Sequence, residues 1–90
     1  MLKLDAKYEQ LKLMLSIEGF NISEFEDHIL GEYFQINTDR NDMMITIYKD
    51  PVHETLEVYI EKNINGVWDR FEQKYYKTVK GASNKIKKYF

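Results

Sequence analysis

Two-residue alternation dominates the middle of the chain. In "EYFQINTDRNDMMITIYKD", residues 32–50, two runs flank a polar turn at Asp39–Asp42, and pairing them across it sorts the side chains into two sets. Phe34, Ile36, Met43, Ile45 and Ile47 share one face; Tyr33, Gln35, Asn37, Met44, Thr46 and Tyr48 share the other. Successive side chains of a strand point to opposite sides, so the pattern predicts an antiparallel hairpin with one apolar face. Asp50-Pro51 ends the second run, because proline has no N–H for a ladder and restricts its predecessor.

"EKNINGVWDR", residues 61–70, admits two readings. Asn-Gly between two alternating runs favours the type I′ turn of a hairpin. That hairpin sets Ile64 opposite Val67, and then Ile60 opposite Phe71, Val58 opposite Gln73 and Leu56 opposite Tyr75. It also faces Glu61 with Arg70, Glu57 with Lys74 and Lys62 with Asp69, three opposite-charge pairs in one register. The rival is a long helix from Val67, since Trp68, Phe71, Tyr75, Val79, Ala82, Ile86 and Tyr89 recur at three- and four-residue steps. Such a helix would hold Gly81 in its interior at a cost of about 1 kcal/mol. Its first half is also rich in residues that favour strands. The hairpin is the better reading, and Thr78 then caps a shorter helix over 79–89.

At the other end, Leu4, Tyr8, Leu11 and Leu15 mark a helix face, with Asp5 as cap and Gly19 as stop. Between them and the first hairpin, "FNISEFEDHILG" has no clear period; Ser23 followed by Glu26 has capping-box spacing and predicts a short helical turn rather than a strand. The expected fold is a single two-layer α+β domain over residues 1–90. It runs N-terminal helix, four-stranded antiparallel meander, C-terminal helix, with both helices on the apolar face of the sheet.

Composition narrows the chemistry. A chain of 90 residues buries roughly 60–65% of its unfolded surface, enough for one modest core. Without cysteine there is no disulfide framework or thiolate zinc site, which suits a reducing cytoplasm, the expected location. "LKLMLSI" is too short and too interrupted for a signal peptide, and no segment reaches the ~20 apolar residues of a membrane span, so no membrane partner is expected. His28 and His53 stand outside any nucleophile–base pattern. His28 beside Glu24, Glu26 and Asp27 lacks metal-ligand spacing. Asp39, Asn41 and Asp50 echo a calcium loop only loosely, with Met44 where glycine is needed. No glycine-rich phosphate loop occurs. No enzyme, cofactor or metal is expected.

Binding has stronger signals. Charge is polarised: residues 1–22 carry three lysines and three acids, residues 23–61 two basic and ten acidic groups, residues 62–90 eight basic and two acidic groups. The last helix would present Lys80, Lys85, Lys87 and Lys88, flanked by Lys77, as a row able to track a phosphate backbone. In the hairpin register the face away from the helices carries Tyr33, Met44, Tyr48, Tyr59, Trp68 and Tyr76, interleaved with Glu57, Glu61, Arg70, Glu72 and Lys74. Aromatic residues and arginine are the usual anchors of protein interfaces. The expectation is a small inhibitor or regulator that docks this face on another protein or on a second copy of itself. A Lys, Ile, Asn and Tyr bias of the AT-rich kind suits a phage or mobile element, and the acidic segment suits competition for a nucleic-acid-binding partner. The alternative is a nucleic-acid-binding module built on the lysine helix.

Overall fold

The computed structural model describes residues 3–29, 31–37 and 42–89. Helix α1 (Leu4–Ile17) leads into five strands, β1 (Asn21–Asp27), β2 (Gly31–Asn37), β3 (Met43–Asp50), β4 (Thr55–Ile64) and β5 (Val67–Tyr76), and helix α2 (Val79–Lys87) closes the order. The strands form one antiparallel sheet in sequence order. The sheet therefore has one strand more than the alternation predicted. Residues 21–27 are an edge strand and not a helical turn. Their period is hard to see because Ile22 is the one apolar residue that β1 turns toward the helices; pairing with β2 overrides the local capping signal. The turn expected at Asp39–Asp42 falls largely outside the described residues.

The core sits between the sheet and the two helices. Phe34 and Ile36 of β2, Met43, Ile45 and Ile47 of β3, and Leu56, Val58 and Ile60 of β4 meet Tyr8, Leu11 and Leu15 of α1 and Ala82 and Ile86 of α2. Each of these is buried, and the assignment of β2 and β3 side chains to two faces holds throughout. Tyr8 lies edge-on to Phe34 at 5.3 Å between ring centres.

Both helices end as their sequences dictate, with one exception. The start of α1 is Leu4 with Lys3 at the N-cap and no side-chain cap, so Asp5 is not the cap but a first-turn acid. At the other end Gly19, with φ of +93°, closes a Schellman motif: its N–H donates to the Ser16 carbonyl, and the Phe20 N–H donates to the Leu15 carbonyl. Thr78 is the N-cap of α2, its hydroxyl accepting from the Gly81 N–H at 3.0 Å.

The Asn65-Gly66 turn is a hairpin turn, with φ of 54° and 85° at its two residues, the positive pair that type I′ requires. Ile64 faces Val67, Lys62 faces Asp69 and Glu61 faces Arg70 as expected, but the register then shifts by one residue in a β-bulge. Phe71 is the extra residue. Beyond it Ile60 faces Glu72, Val58 faces Lys74, Leu56 faces Tyr76 and Glu57 faces Tyr75. The bulge corrects three expectations. Phe71 is 54% exposed and not part of the core. The Glu57–Lys74 pair does not form. Glu72, Lys74 and Tyr76 turn to the helix side, where the Tyr76 ring lies against Gly81.

Gly66→Val should destabilise the domain by more than about 1 kcal/mol, since a β-branched residue is strained at positive φ. A lowered urea midpoint at unchanged slope is the readout. Phe71→Ala should cost about 1 kcal/mol or less, whereas Ile60→Ala should cost about 2–5 kcal/mol by opening a core cavity. Equal losses from the two would contradict the bulged register.

Candidate protein-binding face

With its inner side chains committed to the helices, the sheet turns every other residue outward, and no element of the described chain covers that side. Aromatic side chains form a row across it. Phe25 of β1 stacks on its cross-strand partner Tyr33 of β2 at 5.3 Å. Tyr33 meets its partner Tyr48 of β3 at 4.9 Å, and Tyr48 meets Tyr59 of β4 edge-on at 5.2 Å along a diagonal. The Arg70 guanidinium of β5 ends the row, 4.1 Å from the centre of the Tyr59 ring. The row therefore crosses all five strands. Each ring contact contributes roughly 0.5–1.5 kcal/mol beyond area burial, so this is an ordered surface and not a set of loose side chains.

A polar network fixes the β4–β5 half. The Tyr59 hydroxyl donates to Glu57. Gln73 Nε2 lies 2.8 Å from both Glu57 Oε1 and the Tyr75 hydroxyl, and Arg70 Nη1 donates to Gln73 Oε1 at 3.2 Å. Arg70 faces Glu61 in the register yet makes no ion pair with it; the guanidinium lies along the strand on Tyr59 instead. Tyr48, Lys49, Glu57, Tyr59 and Arg70 line a shallow dimple of about 100 Å³. Burial, followed by the hydrogen bond to Glu57, pushes the Tyr59 phenol far above its ordinary pKa. Burial also raises Tyr48, with Tyr33, Glu61 and Asp27 adding to the shift. Trp68, opposite Asn63, lies on the same outward face and is 41% exposed.

Tyr33, Tyr48, Glu57, Tyr59, Glu61, Trp68 and Arg70 are thus gathered on one face, as their alternation implied. Tyr76 is not: the bulge sends it under α2. Phe25, Gln73 and Tyr75 belong to the face and were missed. Phe25 needed residues 21–27 to be read as a strand, and the other two needed the bulge, which no glycine or proline marks.

Charge is divided between the two sides of the sheet. By register the outward strand positions hold Asp27, Asp50, Glu57 and Glu61 against a single cation, Arg70. Among the described residues no strand lysine points outward: Lys49, Lys62 and Lys74 all turn to the helix side, and the ammonium of Lys49 is held there by Asp5 at 3.0 Å. Asp50 accepts from His53, 2.8 Å away, and that hydrogen bond holds its carboxyl below the usual carboxylate range.

The lysine row of α2 is largely engaged. Lys85 reaches Glu72 at 2.6 Å, Tyr89 donates to the same carboxylate, and this pairing raises the Lys85 ammonium while lowering the Glu72 carboxyl. Lys87 pairs with Glu18 at 2.8 Å. Lys80 and Lys88 are exposed, as is Lys77 at the end of β5. Among the described residues no three His, Asp or Glu side chains gather in metal-ligating geometry. No helix is long and apolar enough to cross a membrane. No family model, curated protein or solved structure matches the chain.

Two measurements check this geometry. Burial holds the Tyr8 phenol, beneath α1, up to about 12 from an ordinary 10.0. A phenol raised on folding adds stability that is complete below pH 10.0 and is lost as pH climbs to about 12. Stability should therefore fall across that window, and Tyr8→Phe should flatten the fall; an unchanged pH profile would contradict it. On the outward face, Trp68 fluorescence should be quenched readily by a small solute, and Trp68→Ala should cost no more than about 1 kcal/mol of stability.

Proposed function

We propose that this protein is a small non-catalytic binding protein, an inhibitor or regulator that docks the outward face of its sheet on another protein. The observation that carries the proposal is the ordered aromatic row from Phe25 to Tyr59, capped by Arg70, with Trp68 beside it. The open side of an antiparallel sheet is ordinarily polar. Here it holds the residue types that dominate interface hot spots, and their side chains are already fixed, which lowers the entropy lost on association. Size agrees. Five strands at about 4.8 Å spacing and lengths of about 23–33 Å give on the order of 550–800 Å², close to one partner's share of a standard interface.

Self-association through the same face is less well supported, because it would bring together two faces whose strand positions each hold four acids against one cation, Arg70. The nucleic-acid alternative loses Lys85 and Lys87 of its five lysines to intramolecular ion pairs. A phage- or mobile-element origin is a compositional inference that suits an inhibitor of this size.

Capture from the cells that carry the protein tests the reading. A tagged wild-type chain should retain one partner; Tyr48→Ala with Trp68→Ala should lose it, each anchor weakening association by about 2 kcal/mol or more. Lys80→Gln with Lys88→Gln should retain it. Capture that ignores the aromatic pair, or fails only with the lysine pair, refutes docking through this face.

A further inference from the structure

We infer that the surface this face receives is an arginine-rich, basic protein surface of the kind that holds nucleic-acid phosphates, so that docking excludes nucleic acid from the partner. The inference rests on the docking reading above and names the chemistry of the partner. Its first support is the way charge is divided. Every lysine–carboxylate bridge among the described residues lies at the helices or on the helix side of the sheet: Lys12 with Glu9 and Glu24, Lys49 with Asp5, Lys74 and Lys85 with Glu72, Lys87 with Glu18. On the outward side Asp50 is held by His53, while Glu57 and Glu61 have no cation within ion-pair distance among the described residues, although Arg70 stands opposite Glu61. A sheet face whose strand positions hold Asp27, Asp50, Glu57 and Glu61 against the single cation Arg70 complements a cationic surface and repels a phosphate backbone.

The second support is the internal guanidinium. Arg70 lies on the Tyr59 ring at 4.1 Å with Gln73 accepting one of its N–H groups. This is the geometry in which a ring face and a neighbouring acceptor hold an arginine side chain. Phe25, Tyr33 and Tyr48 continue the same row, with Glu57 and Glu61 near its β4 end. An arginine of a partner would find ring edges along the row and the Glu57 and Glu61 carboxylates at its β4 end.

A nona-arginine peptide is a suitable probe: extended, it spans about 30 Å, enough to cross five strands at about 4.8 Å spacing. Titrated into the full chain at low salt, it should shift the amide resonances of Tyr33, Tyr48, Tyr59, Glu61 and Trp68 and change Trp68 fluorescence. Glu57→Gln with Glu61→Gln should weaken it about tenfold, while Glu26→Gln with Glu32→Gln, the same charge change on the helix side, should leave it within about twofold. Glu61→Gln alone gives the same direction if the double variant is destabilised. A heparin oligosaccharide should leave the outward residues unshifted. Equal weakening by the two double variants, peptide shifts confined to the helix layer, or heparin shifts on the outward face would each overturn the inference. The capture experiment separates the two levels. A partner held by the aromatic row but contacting it through a surface without arginine or lysine leaves docking standing and removes the basic partner. Capture that ignores the row removes both.

Discussion

The structure depends on covering one side of the sheet. Eight apolar side chains from β2, β3 and β4 are buried against three from α1 and two from α2, and at about 1.5–3 kcal/mol for each large side chain removed from water this is the dominant favourable term. Once those residues face inward, a period of two leaves no freedom: Tyr33, Tyr48 and Tyr59 must face outward, and the Asn65-Gly66 turn sets Trp68 beside them. The candidate site is the geometric complement of the core. It needs no separate folding rule, only side chains that pack on one another across strands.

That dependence explains which parts were legible in the sequence. β2, β3 and the start of the β4–β5 hairpin carry clean alternation and a turn whose residues demand positive φ, so their faces and register follow directly. The cap at Thr78 and the stop at Gly19 are equally local, because the backbone groups they satisfy lie within a few residues. β1 was hidden because an edge strand over a small part of the core needs little apolar surface: of its seven residues only Ile22 and Phe25 are apolar. What holds it is the ladder to β2, a non-local term that local pattern does not encode.

The bulge at Phe71 was hidden for a different reason. Charge pairing favoured the straight register, with Glu57 opposite Lys74 as a third complementary pair, but cross-strand charge pairs contribute only about 0.2–1 kcal/mol each. The bulged register places Tyr76 against Gly81 of α2 and brings Glu72 to Lys85 and Tyr89. It also trades the Glu57–Lys74 pair for the Glu57–Gln73–Tyr75 hydrogen bonds. Packing against a helix, together with a half-buried charged cluster, outweighs one exposed ion pair. Such a choice depends on where α2 docks.

The bulge also decides the character of the outward face. A straight β5 would turn Glu72, Lys74 and Tyr76 outward, adding a lysine beside Glu57 and neutralising a carboxylate that is otherwise free of a cation. With the bulge, Lys74 and Glu72 are withdrawn to the helix side, where they lie 3.8 Å apart. Gln73 and Tyr75 replace them outside as neutral groups that orient Glu57 without cancelling its charge. One inserted residue therefore does two things. It seats the second helix on the sheet, and it keeps a lysine away from Glu57 at the β4 end of the aromatic row, leaving the Arg70 guanidinium as the one strand cation on that face.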